Sequence, residues 1–125
     1  MKPSGSNPGA ERRRAAEAGG RRAETLAALF LRLKGYRVLM VRAKTPVGEI
    51  DIVARRGKTI VFIEVKQRRS ADRQWHALES VNVARIQRAA QFLLMKNRAW
   101  QGADLRFDVI FLAPRRWPRH LINAF

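Results

Sequence analysis

The chain has 125 residues, 46% hydrophobic and 29% charged, which suits one globular domain built on a single core. Its 26 Lys and Arg against 10 Asp and Glu leave a formal net charge of +16, so a polyanion such as nucleic acid is the natural partner. With no cysteine and only two histidines, disulfides, zinc thiolates, cysteine nucleophiles and His-rich metal sites are all excluded.

Any bound metal would therefore rest on carboxylates, which favours a hard cation, Mg2+ or Mn2+. No run of 18 apolar residues is present, and no lipidation signal. Residues 1–10 contain no apolar stretch of the secretory kind. No membrane partner is expected, and the expected location is cytoplasmic.

Residues 1–20 read as a basic, flexible N-terminal arm, Gly-, Pro- and Ser-rich at its start and broken by Gly19-Gly20. Residues 21–125 read as one domain. Its first helix is predicted over residues 21–34, with Ala23, Leu26, Ala27, Phe30 and Leu33 at helical spacing and Gly35 as the stop. Strands follow at 36–42, 48–55 and 59–66, with residues 43–47 as a loop and Arg56-Gly57-Lys58 as a hairpin turn. Residues 67–75 form a basic polar loop. A second helix is predicted over about 77–98, its buried side drawn from Val81, Ala84, Ile86, Ala89, Phe92, Leu93 and Met95. A fourth strand covers 106–112, and residues 121–125 read as a short last one. The order α-β-β-β-α-β closes most naturally as an α/β fold, a mixed sheet flanked by helices.

The chemistry concentrates in residues 48–66. Alternate residues of a strand share a face, so Glu49 goes with Asp51, and Glu64 with Lys66. Ile50, Ile52, Ile63 and Val65 are expected on the opposite face. If residues 56–59 form a four-residue loop, Arg55 lies opposite Ile60. Asp51 then lies opposite Glu64, and Glu49 opposite Lys66, with Cβ atoms roughly 4.5–5.5 Å apart. A two-residue turn is expected to shift Asp51 to a diagonal position on the same face, and a three-residue loop to the wrong face. Two carboxylates so close repel unless a cation lies between them. A divalent metal on Asp51 and Glu64 answers that repulsion, with Lys66 two residues on to orient a water or steady developing charge. Metal, carboxylates and ammonium together suit phosphodiester hydrolysis. Two roles are open to Glu49, beside the metal or paired with Lys66, and pairing is the expectation.

Gly48-Glu49-Ile50-Asp51-Ile52-Val53-Ala54, followed by Val61-Phe62-Ile63-Glu64-Val65-Lys66-Gln67-Arg68, closely resembles the YraN-like, UPF0102-type family of predicted endonucleases. That family is distantly similar to archaeal Holliday-junction resolvases and to the PD-(D/E)-x-K nuclease superfamily. The likeness extends to Ala23-Glu24 with Ala27, to Arg85-Ile86 and Ala89-Ala90, and to Arg106-Phe107-Asp108-Val109, covering roughly residues 21–125. It implies a restriction-endonuclease-like core with Asp51, Glu64 and Lys66 as catalytic residues. It also implies Glu24, on the first helix, as a further metal ligand. Ala23 stands where the family usually has Gly, and Asn82 where it usually has Lys.

The reading is thus a metal-dependent endonuclease acting on DNA, with branched or structured DNA suggested by the resolvase likeness. Resolution needs two active centres, so that likeness also suggests a homodimer. The alternative is a non-catalytic nucleic-acid-binding module on the same fold. Arg68, Arg69, Arg73 and Trp75, in the loop after the active strand, are the expected nucleic-acid contacts. Trp100 is expected to pack. Arg106 and Asp108 share a strand face and are read as an internal ion pair.

Overall fold

The structure, a computed structural model, describes residues 8–67 and 82–125. Helix α1 spans Pro8–Leu33, and strands β1, β2 and β3 span Arg37–Thr45, Gly48–Arg56 and Thr59–Gln67. Helix α2 spans Val83–Lys96, followed by a 3-10 turn, Arg98–Trp100. Strands β4 (Asp104–Leu112) and β5 (Arg119–Leu121) complete one sheet in the order β1-β2-β3-β4-β5. Only β3 and β4 run parallel, joined by the crossover that contains α2; the other neighbours are antiparallel. The α/β class and the mixed sheet flanked by helices are as read from sequence. No helix among the described residues is long and apolar enough to cross a membrane.

Helix α1 starts upstream of the expected residue 21 and passes through Gly19-Gly20 without a break. It ends as expected. Gly35 takes φ 92°, the Gly35 amide donates to the Arg32 carbonyl and the Tyr36 amide to the Leu31 carbonyl, closing a Schellman motif. Its buried seam differs from the periodic set expected. Ala23, Ala27, Ala28 and Leu31 pack on the sheet, whereas Leu26 and Leu33 face solvent. Small alanines let the helix lie close to the strands, and the larger leucines turn outward.

Two cores result. On the α1 side lie Ile52, Ala54, Val61, Ile63, Ile110 and Leu112. On the α2 side lie Ile50, Val53, Ile60 and Phe62, with Ile86, Ala89, Ala90 and Leu93 of the helix and Trp100 beneath it. Trp100 packs as expected. Ala84 and Met95 do not: both are exposed, because Ala90 rather than either completes the buried face. Asn82 caps α2, its side-chain oxygen accepting from the Arg85 amide at 3.0 Å.

The last two strands are pinned by charge. Asp108 is fully buried and both its oxygens accept from Arg106, at 2.9 and 2.8 Å. The Asn123 amide donates to it at 2.9 Å and His120 Nε2 lies 2.7 Å away. On the other side of that ring, Lys34 Nζ lies 2.6 Å from Nδ1. An ammonium has no acceptor, so Nδ1 accepts and Nε2 donates to Asp108. Arg106 also donates to the Tyr36 hydroxyl at 2.6 Å. The expected Arg106–Asp108 pair is therefore the middle of a chain of bonds that joins the turn after α1 to β5. Burial alone would raise the Asp108 carboxyl; the bonds from His120, Arg106 and Asn123 outweigh it and hold it below the ordinary carboxylate range. Asp108→Ala would leave Arg106 and His120 without their acceptor and should cost about 3–5 kcal/mol in urea denaturation, with the helix signal and the sheet signal lost together.

Candidate metal centre

The β2–β3 hairpin sets the level of every acidic side chain. Its turn has two residues, Gly57-Lys58, with Gly57 at φ 60° as such turns favour. Arg56 pairs with Thr59 and Arg55 with Ile60. The short turn therefore keeps the register expected of the longer loop, and the diagonal shift expected of a two-residue turn does not occur. Pairing then stops at Ile52↔Ile63. Two residues further along β3, the Val65 amide donates instead to Asp51 Oδ2, at 2.7 Å.

The strands are irregular at that level. Ile50 packs in the α2-side core and Ile52 in the α1-side core, so period-two alternation breaks around Asp51. This corrects the expectation that the two isoleucines share a face. On β1 the residue opposite Asp51 is Arg42, between the pairs Val41↔Ile52 and Ala43↔Ile50. Arg42 has φ 56°, a left-handed conformation that a non-glycine residue rarely adopts. Gly48, at φ 149°, opens β2, and a Cβ there would meet Arg85 Cγ of α2 at 3.0 Å. A side chain there would strain the backbone and push the Arg85 stem aside by a few tenths of an ångström.

Single oxygens of Glu24, Glu49 and Asp51 lie within 4.8 Å of one another. Glu24 comes from α1, where the close alanine seam brings the helix down onto β1 and β2. Arg42 Nε lies 3.6 Å from Glu24 Oε2 and 3.6 Å from Glu49 Oε1. Lys66 Nζ lies 3.4 Å from Glu64 Oε1. The expected Glu49–Lys66 pair is not formed, because β2 stays with β1 after leaving β3. Glu49 instead joins the tight trio. Glu64 stands beside that trio rather than within it.

Glu49 is the residue whose membership the sequence left open. The signal was its spacing of two from Asp51 on one strand. Arg68, Arg69, Arg73 and Trp75 lie outside the described residues.

The electrostatics record crowding. Burial and then the neighbouring Glu64 push the Asp51 carboxyl up to about 7, opposed by the Val65 amide. Burial raises Glu24 as well, against the pull of Arg42 and with the push of Glu49 and Glu64. Glu24 Oε2 is buried and accepts no hydrogen bond among the described residues. Among the described residues, four carboxylates thus face Arg42 and Lys66 at ion-pair range, with Arg21 acting on Glu24 from farther off. A divalent ion would balance the set, and its oxygen-only donors suit Mg2+ or Mn2+.

Residues 23–112 match the family model described as "Uncharacterised protein family UPF0102". The chain belongs to this family. It is 53% identical over 106 residues to a UPF0102 protein of Parvibaculum lavamentivorans, covering 85% of this chain and 80% of that one. Against the UPF0102 protein of Methylorubrum extorquens it is 51% identical over 120 residues, 96% and 93% of the two chains. A third relative, from Erythrobacter litoralis, is 46% identical over 114 residues, 91% and 97%. The UPF0102 match spans Glu24, Glu49, Asp51, Glu64 and Lys66.

The raised Asp51 carboxyl carries a pH signature. The unfolded chain releases this proton in the ordinary carboxylate range, and the folded chain only near pH 7. Stability from this group is complete at low pH and is lost as pH rises towards 7. Wild type should therefore lose melting temperature between pH 5 and 8 more steeply than Asp51→Asn. Mn2+ at pH 7.5 should raise the melting temperature of wild type by several degrees and that of Asp51→Asn much less, in a thermal unfolding series.

Proposed function

We propose that this protein is a metal-dependent endonuclease that hydrolyses phosphodiester bonds in DNA, with Asp51, Glu64 and Lys66 as its catalytic residues. The observation that carries the reading is the under-neutralised acid cluster, Glu24, Glu49 and Asp51 within 4.8 Å, with the Glu64–Lys66 pair beside it. A lone surface ion-pair ladder would not raise a carboxyl to about 7.

Glu24, Glu49 and Asp51 would hold Mg2+ or Mn2+, with Glu64 alongside. The bound cation would supply Lewis-acid polarisation of the scissile phosphate and acidify a water. The chain's own groups supply the rest. The Val65 amide fixes Asp51, so its second oxygen is aimed without a flexible search. The Lys66 ammonium can donate to the attacking water or to the phosphate oxygens as charge grows. The +16 charge draws the polyanion to the surface by counterion release. Branched or structured DNA is the substrate class that the resolvase likeness favours, and two-strand cleavage there would call for a homodimer.

A second reading rests on Arg42. Its guanidinium stands 3.6 Å from two of the acids, a cation the chain brings itself. That arrangement favours a nucleic-acid-binding module without catalysis.

The deciding experiment is cleavage of labelled single-stranded, duplex, flap and four-way-junction DNA in Mg2+, Mn2+ or chelator. Wild type should cut with metal only. Asp51→Ala should abolish cutting, and Lys66→Ala should slow it by about 10²-fold, with DNA binding retained in both. Binding without cutting on every substrate would select the module, and undiminished cutting by both variants would remove these residues from the site.

A further inference from the structure

Helix α1 carries two apolar stripes, and the core covers one. Ala23, Ala27 and Leu31 face the sheet. Leu26, Leu29 and Leu33 are 57%, 50% and 76% exposed. With Phe30 they stand at positions i, i+3, i+4 and i+7, which line one side of a helix. Facing them, the chain leaves β4 through Pro114, Trp117 and Pro118, and Trp117 is 84% exposed. A groove of about 570 Å³ runs between the two walls. A contiguous apolar surface of this kind marks a binding site rather than ordinary surface scatter.

The rim gives the charge of the occupant. Arg22, Arg115 and Arg116 border the groove and are exposed, and no carboxylate lines it among the described residues. A second copy of this chain would bring more positive charge to a positive rim. Single-stranded nucleic acid prefers successive aromatic platforms. Here, among the described residues, the walls are mostly leucine and proline, with Trp117 the one tryptophan lining them and Phe30 already edge-on to His120.

We propose that this groove binds an acidic peptide segment of a partner protein. Its apolar side chains would lie on the leucine stripe and against Trp117, and its carboxylates would meet Arg22, Arg115 and Arg116. The groove reaches Gln67, next in sequence to Lys66, so the partner would dock beside the acid cluster without filling it.

The test is fluorescence anisotropy on the full chain with three fluorescein-labelled probes. One is an acidic peptide carrying a Leu and a Phe, the second the same peptide with both replaced by Ala, and the third a single-stranded oligonucleotide. Wild type should bind the first peptide about tenfold more tightly than the second. Leu29→Ser combined with Trp117→Ala should erase that difference and leave oligonucleotide affinity unchanged. Both side chains are at least half exposed, so the fold should survive; Leu33→Ser repeats the test if the double variant melts early. Equal affinity for the two peptides, or a preference that survives the substitutions, would overturn the proposal. So would loss of oligonucleotide binding in the variants, which would make the groove a nucleic-acid surface. A dimer of wild type that dissociates in the variants would assign the groove to a second copy and equally overturn it.

Discussion

The Val65 amide has a choice of acceptors along β2, and it takes the Asp51 carboxylate. Pairing of β2 with β3 ends two residues earlier along β3, at Ile52↔Ile63. A backbone donor without a partner is costly in a buried strand, so the side chain that replaces the ladder is held firmly. Asp51 is thereby fixed at a fork in the sheet, with β1 and β2 continuing together on one side and β3 on the other. Arg42 turns through a left-handed φ directly opposite, and the alternation of β2 breaks at the same point. A regular hairpin would have set Glu49 opposite Lys66 and Asp51 opposite Glu64 along one face. The fork brings them into one corner instead.

Helix α1 completes that corner for a packing reason. Alanines at 23, 27 and 28 allow a close approach to the strands, and Glu24 is carried in with them. The close approach strips water from the carboxylates, so Glu24 and Asp51 both lose acidity. Arg42 and Lys66 relieve only part of the repulsion. The corner is stable as it stands because Asp51 can keep a proton near neutral pH, and it is poised for a divalent cation for the same reason.

The opposite treatment of charge is seen at Asp108. It is more deeply buried than Asp51, yet its carboxyl is held low, because Arg106, His120 and the Asn123 amide all point at it. One buried acid is satisfied and ties β4 and β5 to the turn after α1; the other is left short of partners. Polar satisfaction separates a structural carboxylate from one available to chemistry. The outward leucine stripe of α1 follows from the same helix placement, since burying the alanines leaves the leucines for solvent or a partner.

Several features were legible in the sequence. The strand pair at 48–67 and the α/β order followed from local pattern, because alternation and turn chemistry are properties of neighbouring residues. The family followed from the likeness of residues 48–54 and 61–68 to its motif. Asp51 beside Glu64 followed from hairpin register, which a short turn sets. Other features had no local signature. The strict alternation expected for Ile50 and Ile52 failed at the fork, where a side chain outbid the backbone for a donor. Glu49 moved from Lys66 to Arg42 because strands part company in three dimensions, not in sequence. Periodicity on α1 matched two overlapping stripes, and only the sheet chose between them, because helical spacing records which residues share a side but not which side finds a partner.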